Sequence, residues 1–413
     1  MTKYFAPLLA LFIFSCTPDK HNVEPTAEKS QTSEASIEYW LFTITLSDSV
    51  ELPVKVTSRV SADLNFTIHN AEEKIQLQNI RLKGDSIFME MPVFQTGFEG
   101  VFKGETMSGV LVKYDAENYR LPFKAKKVTS TKPQLKAPSY DLNKRYKVLF
   151  RPGQENETHA VGEFKQNGNS VSGTFMTETG DYRFLSGTLE GDKLRLSAFD
   201  GIHLYVFKAT VNADSSLNGM FFSGKTRADK WIGEANNNFQ LADPETLTYL
   251  KEGESELSFS FNTTQGETIE YSKEKYLGKV VILQILGSWC PNCMDESKFL
   301  QAQYLKHNSD GLEIIGLSFE RKSDKEISYK AMNKMTKDLN LTYPIVFAGS
   351  TRIADREKAL PQLNKIMSFP TSIYINKKGE VVKIHTGFSG PGTSQYETFV
   401  DETEALIKTL LAE

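Results

Sequence analysis

Cys290 and Cys293 lie within Gly287-Ser288-Trp289-Cys290-Pro291-Asn292-Cys293, and they are two of only three cysteines in the chain. Their spacing could serve a zinc clip, a structural disulfide or a redox dithiol. Zinc needs four ligands, so two cysteines must recruit two further histidines or carboxylates. The six histidines (His21, His69, His159, His203, His307 and His385) contain no pair three to five residues apart. A purely structural disulfide across two residues removes little chain entropy. A dithiol that exchanges electrons is the chemistry this spacing favours beside βαβ structure. No metal or cofactor is expected. Glu296 follows Cys293 by three residues and Leu300 by seven, so a helix places all three on one face. Turned inward, such a carboxyl has a raised pKa and can trade a proton with a thiol. Turned outward, it is an ordinary first-turn Glu favoured by the helix dipole. The spacing leaves both open.

Those residues need a strand before them and a helix beneath them. Val280 to Leu286 reads as a continuous apolar run, suited to a strand buried on both faces. Pro291 fits the first turn of a helix beginning behind Cys290. Free N–H groups and the helix dipole there favour a thiolate. Thiols in such settings have pKa values of roughly 3.5–7.5 instead of about 8.5. Cys290 is therefore the expected nucleophile and Cys293 the resolving thiol. Further strands are expected over Leu312 to Phe319 and Pro344 to Phe347, with a hairpin of Ser372 to Ile375 and Val381 to Ile384. Ser323-Asp324-Lys325-Glu326 reads as a capping box, with Ile327, Ala331, Met335 and Leu339 on the inner face of its helix. Pro361 to Met367 reads as a short helix, and Glu402 to Leu411 as the last one. Residues 255–413 thus form an α/β domain expected to fold by itself, with Asp243 to Glu254 as a linker.

Upstream the pattern is strand after short strand, with Gly-Asp and Asn-Gly turns and no helical spacing. Leu82 to Ile87 is echoed by Leu189 to Leu194, Val101-Phe102-Lys103 by Val206-Phe207-Lys208, and Met107-Ser108-Gly109 by Leu217-Asn218-Gly219. Two related antiparallel β-units, 37–128 and 140–240, are expected. Near the start, Lys3 is followed by the apolar run Tyr4 to Phe14 and then by Ser15 and Cys16, the pattern of an export signal. Residues 1–16 read as a leader, and 17–36 as a polar tether with a reach of roughly 25 Å. A net charge of −4 gives no basic field, so nucleic acid is not an expected partner.

Several of these stretches resemble known families. Ile13-Phe14-Ser15-Cys16 looks like a bacterial lipobox, which implies lipidation at Cys16 and a membrane anchor. The Cys290 motif resembles the active site of thioredoxin-fold proteins, and Met367-Ser368-Phe369-Pro370-Thr371-Ser372-Ile373 resembles the segment carrying that fold's cis-proline. Sequence alone leaves the Phe369–Pro370 bond open, since only about 5–6% of such bonds are cis. Glu296 extends the likeness to the TlpA/ResA branch of membrane-tethered, extracytoplasmic thiol–disulfide oxidoreductases. The resemblance covers about Leu257 to Glu413. It implies attack by Cys290, resolution by Cys293, proton exchange by Glu296 and a substrate groove at Trp289, Phe369 and Pro370. Asn292 departs from the family, which commonly has Pro before the second Cys. The β-rich half is similar to N-terminal regions of tethered thioredoxins from Bacteroidetes-type bacteria, which assigns it no activity.

The expected protein is a lipid-anchored, periplasm-facing reductase of protein disulfides in the cell envelope, on the inner or outer membrane. Its expected substrates are apocytochrome c or envelope proteins, and its donor sits on the membrane side. Oxidase or isomerase activity is the enzymatic alternative. Thiol peroxidase fits less well, for want of a Pro-x-x-x-Thr-x-x-Cys pattern. A β-rich binding module with a subsidiary redox domain is the non-enzymatic alternative.

Overall fold

The computed structural model describes residues 37–59, 64–129 and 135–413. The expected leader, Cys16 and the tether lie outside the described residues. Alternation of apolar and polar residues makes β1 (Ile37–Ser47) and β2 (Val50–Arg59), whose inward pairs are Trp40 with Val56, Phe42 with Val54 and Ile44 with Leu52. Each side chain buried this way contributes about 1.5–3 kcal/mol. The sheet continues through β3 (Phe66–Asn70), β4 (Glu73–Gln76), β5 (Gln78–Lys83), β6 (Ser86–Glu90), β7 (Thr96–Phe102), β8 (Thr106–Lys113) and β9 (Arg120–Val128). Its order is β4-β3-β2-β1-β9-β8-β7-β6-β5, antiparallel throughout.

The second unit comprises β10 (Arg145–Phe150), β11 (Thr158–Asn167), β12 (Ser170–Thr177), β13 (Gly180–Asp181), β14 (Leu185–Glu190), β15 (Lys193–Phe199), β16 (Leu204–Val211), β17 (Leu217–Ser223) and β18 (Arg227–Ala235). Because β11 pairs with both β10 and β12, eight of these strands close into a ring, and β13 hangs from the edge of β12. The echoed segments occupy matching places. Gly84 turns between β5 and β6 at φ +57°, and Gly191 between β14 and β15 at φ +56°. Such left-handed backbone favours glycine.

The third sheet is α/β. It contains β19 (Phe259–Thr263), β20 (Thr268–Tyr271), β21 (Val280–Leu286), β22 (Leu312–Glu320), β23 (Ile345–Ser350), β24 (Thr371–Ile375) and β25 (Val381–Thr386). The order is β20-β19-β23-β22-β21-β24-β25, with β21, β22 and β23 parallel and the rest antiparallel. Helices α1 (Pro291–His307), α2 (Lys325–Asp338), α3 (Ile353–Ala359) and α4 (Tyr396–Ala412) connect or follow these strands. All seven residues of β21 are buried, as its continuous run requires.

Three local expectations are corrected. The cap of α2 is Asp324, whose side chain accepts from the N–H groups of Glu326 and Ile327, one residue later than the capping box implies. The buried face is accordingly Ser328, Met332 and Met335, while Ile327 stays 40% exposed. Residues 361–367 form no helix. The helix lies upstream as α3, and Pro361 follows its C-cap Leu360, where proline stops a helix instead of starting one. Residues 243–254 are no free linker. Tyr249 and Asn364 exchange hydrogen bonds at 2.9 Å, the Lys251 N–H donates to the Gln362 carbonyl at 2.9 Å, and Thr248 is fully buried.

Apolar clusters also cross the three sheets. Phe199, Leu204 and Val206 of the ring pack into the core of the first sheet. Val93 and Phe94, between β6 and β7, share a cluster with Cys290, Cys293, Met294 and Phe388. The Val93 N–H is fixed by the Asp338 carboxylate at 2.8 Å. Residues 255–413 therefore complete their core with side chains from outside that range.

Candidate active site

The end of β21 delivers Gly287 to Trp289, and Cys290 caps α1 from an extended backbone at φ −107°, ψ 112°. Pro291 enters the first turn, where its missing N–H costs nothing. Cys290 and Cys293 are joined as a disulfide with Cα atoms 5.2 Å apart. The Cys293 N–H donates to Cys290 Sγ at 3.2 Å, the bond that stabilises a thiolate at this position. Cys290 Sγ also lies 3.3 Å from the carbonyl oxygen of Phe369. The Phe369–Pro370 bond is cis, and it brings the loop before β24 against the disulfide. The Trp289 indole donates to the Phe319 carbonyl at 3.0 Å, and its ring meets Phe369 edge-on at 5.5 Å. Trp289, Cys290, Cys293, Phe369 and Pro370, drawn from two distant stretches, thus converge.

Glu296 sits beneath them, fully buried, with Cys293 and Leu300 at 0% exposure on the same face. The outward alternative is excluded. Its Oε1 accepts from Ser372 Oγ at 2.9 Å and its Oε2 from Gln284 Nε2 at 2.8 Å. Burial pushes its pKa up to about 7, against which those two hydrogen bonds act. Gln284 Nε2 lies 3.4 Å from the Cys293 carbonyl oxygen, while Gln284 Oε1 accepts from Ser297 and Tyr343. A proton on Glu296 therefore sits in a dry network one helical turn from Cys293.

The sequence reading missed this network's other members and several neighbours. Gln284 is the one signal it could have used, as a polar residue inside an apolar strand. Glu320 is another buried carboxyl, accepting from the Ser288 N–H and from the hydroxyls of Ser288 and Ser318, with a pKa raised by burial. The cover over α1 was also missed. Every residue from Pro291 to Ser297 is buried. The turn between β12 and β13 lies over this end of the helix: Ser368 Oγ donates to the Thr179 carbonyl at 2.7 Å, and Gly180 lies against the Asn292 side chain. Arg183 binds Asp295 just beyond, at 2.8 and 3.1 Å.

A disulfide that caps the helix after a central parallel strand, facing a cis-proline, defines the thioredoxin-fold thiol–disulfide oxidoreductases. Comparison with known sequences agrees. The AhpC/TSA family model matches residues 253–384. The thiol-disulfide oxidoreductase ResA of Halalkalibacterium halodurans is 30% identical over 156 residues, 38% of this chain and 77% of that protein. ResA of Bacillus subtilis is 30% identical over 138 residues, 33% of this chain and 69% of that protein. A thioredoxin family thiol:disulfide interchange protein from Chlorobium tepidum aligns with 38% of this chain and 95% of its own at 20% identity, with a TM-score of 0.30. The chain belongs to the ResA family of thiol-disulfide oxidoreductases. Among the described residues, no helix is long and apolar enough to cross a membrane.

Proposed function

We propose that the chain works as a membrane-tethered, extracytoplasmic reductase of protein disulfides. Cys290 attacks a substrate disulfide, a mixed disulfide forms, and Cys293 displaces it to leave Cys290–Cys293 oxidised. The observation that carries this division of labour is the Cys293 N–H aimed at Cys290 Sγ at the start of α1. Glu296 takes and returns the proton of Cys293, a role supported by its burial and raised pKa. Trp289, Phe369 and Pro370 line the groove for the substrate, apocytochrome c or another envelope protein, and a membrane-side donor resets the dithiol. Cys16 carries the lipid anchor in the cell envelope, facing the periplasm from the inner or outer membrane.

Substrate trapping tests the chemistry. Cys293→Ala should accumulate mixed disulfides with native proteins, identifiable by mass spectrometry, and Cys290→Ala should not. The reverse pattern overturns the assignment of the two thiols. A reduction potential near −270 mV supports a reductase, and one near −120 mV an oxidase. For the anchor, Cys16→Ser should move the protein from the membrane to the soluble fraction.

A further inference from the structure

The cover over Pro291 and Asn292 leaves Trp289 as the half-buried face of the motif. Trp289 and Ser288 line a cavity of about 250 Å³. Its other walls come from the β6–β7 and β8–β9 loops and the end of β8 in the first sheet, Ile202 of the ring, the end of β22, the segment joining it to α2, and the first turns of α2. No single unit builds it.

Its charges are uneven. Lys113 reaches in from β8, donating to the Ile202 carbonyl at 2.8 Å with its ammonium 4.8 Å from the Tyr119 ring centroid. Burial pulls its pKa down to about 8, and the nearby Arg321 acts in the same direction. Arg321 stacks over Trp289 at 4.5 Å and, among the described residues, donates no side-chain hydrogen bond. Lys322 adds a third cation at the rim. On the acidic side, Asp115 acts on both cations, Asp200 on Lys113 and Glu320 on Arg321, but Asp200 is already held by Arg183 and His203 and Glu320 by three hydrogen bonds. Lys113 and Arg321 line the same cavity and act on one another as like charges, which an anion between them would relieve.

We propose that this cavity receives a carboxylate carried by the disulfide substrate, seated between Lys113 and Arg321 above the Trp289 ring. The proposal rests on the thiol–disulfide reading and adds a substrate class to it: disulfides with an acidic group close to the reacting sulfur. In the reaction the Cys290 thiolate bonds to one substrate sulfur, the substrate S–S bond breaks, and the other sulfur leaves as a thiolate. Cys293 then displaces the first sulfur. Two electrons pass to the substrate, two protons complete its thiols, and the Cys290–Cys293 disulfide is the oxidised product.

The test uses the full chain, reduced with dithiothreitol and freed of it, and oxidised by dithiobis(nitrobenzoate), which carries carboxylates, or by cystamine, which carries ammonium groups. The ratio of the two rate constants, divided by the same ratio for free dithiothreitol, should be tenfold or more. It should fall severalfold in Arg321→Gln and in Lys113→Gln, persist in Lys113→Arg, and collapse in about 1 M salt, where the screening length is about 3 Å. An unfolded variant would lose the cavity and the ratio with it, so a fall counts only where the variant keeps the wild-type circular dichroism and unfolding midpoint, and Lys113→Arg serves as the folded control. A normalised ratio near one, or a ratio that ignores both Gln substitutions, overturns the proposal. A dithiol that reacts with neither disulfide overturns the thiol–disulfide reading beneath it.

Discussion

Arg183 grips Asp295 through two hydrogen bonds, from Nε at 2.8 Å and from Nη2 at 3.1 Å, linking the β-ring to the helix that carries the dithiol. The same guanidinium reaches Asp200 at 3.2 Å and Glu73 of the first sheet. One buried cation therefore ties the β-ring to the first sheet and to α1, which it holds at Asp295, two residues beyond Cys293. Fork-shaped donation suits Arg here, since Lys could not serve three carboxylates in one plane.

Removing that cation should be severe. Arg183→Ala leaves Asp295, Asp200 and Glu73 in a dry site without their shared partner, at a cost of about 3–5 kcal/mol. Urea unfolding of the full chain measures it. A loss below about 1 kcal/mol would mean that water reaches the cluster and that the joint is soft.

Glu296 sets a pH dependence whose sign follows from its burial. Its ordinary value of 4.5 rises to about 7 in the fold, so the folded chain holds this proton more tightly than the unfolded one. The stabilisation is complete below about pH 4.5 and is lost as pH rises through about 7, a change of about 3 kcal/mol. Glu296→Gln should flatten that part of the stability curve and slow turnover by tenfold or more. Parallel stability curves for the two proteins, with matching pH–rate profiles, would return Glu296 to a packing role.

Residues 255–413 expressed alone should be less stable than in the full chain. They lose the cover of Val93 and Phe94, each an apolar side chain whose burial is worth about 1.5–3 kcal/mol. Pro291 and Asn292 would be uncovered as well, so iodoacetamide should modify reduced Cys290 faster in the fragment. Equal unfolding midpoints and equal alkylation rates would show that the shared cluster contributes little.

Local chemistry was legible where one stretch of chain decides it. The apolar run of β21, the proline behind Cys290 and the alternation of β1 and β2 each specify their element from neighbouring residues. Pro361 misled because proline is favoured both inside a helix start and just beyond a helix end, and only the position of α3 separates the two. The cover over Asn292 was beyond reach for a different reason. Thr179 and Ser368 lie 189 residues apart, and neither a threonine nor a serine announces a partner at that range. Lys113 and Arg321 are equally mute in sequence, each one cation among many on the surface of its own unit.

The ring of the second β-unit closes through β11 and β12 without using β13. The turn that overlies the start of α1 thus extends from a closed ring, paired to it at Met176–Asp181 and Thr177–Gly180, with the Tyr182 N–H donating to the Phe175 carbonyl at 2.9 Å. Insertions, deletions or exchanges there break no rung that the ring depends on. Descendants of this chain can reshape what faces Asn292 and the cis-proline while inheriting the same scaffold, so the cover of the helix start can diverge at this turn without renegotiating how the protein folds.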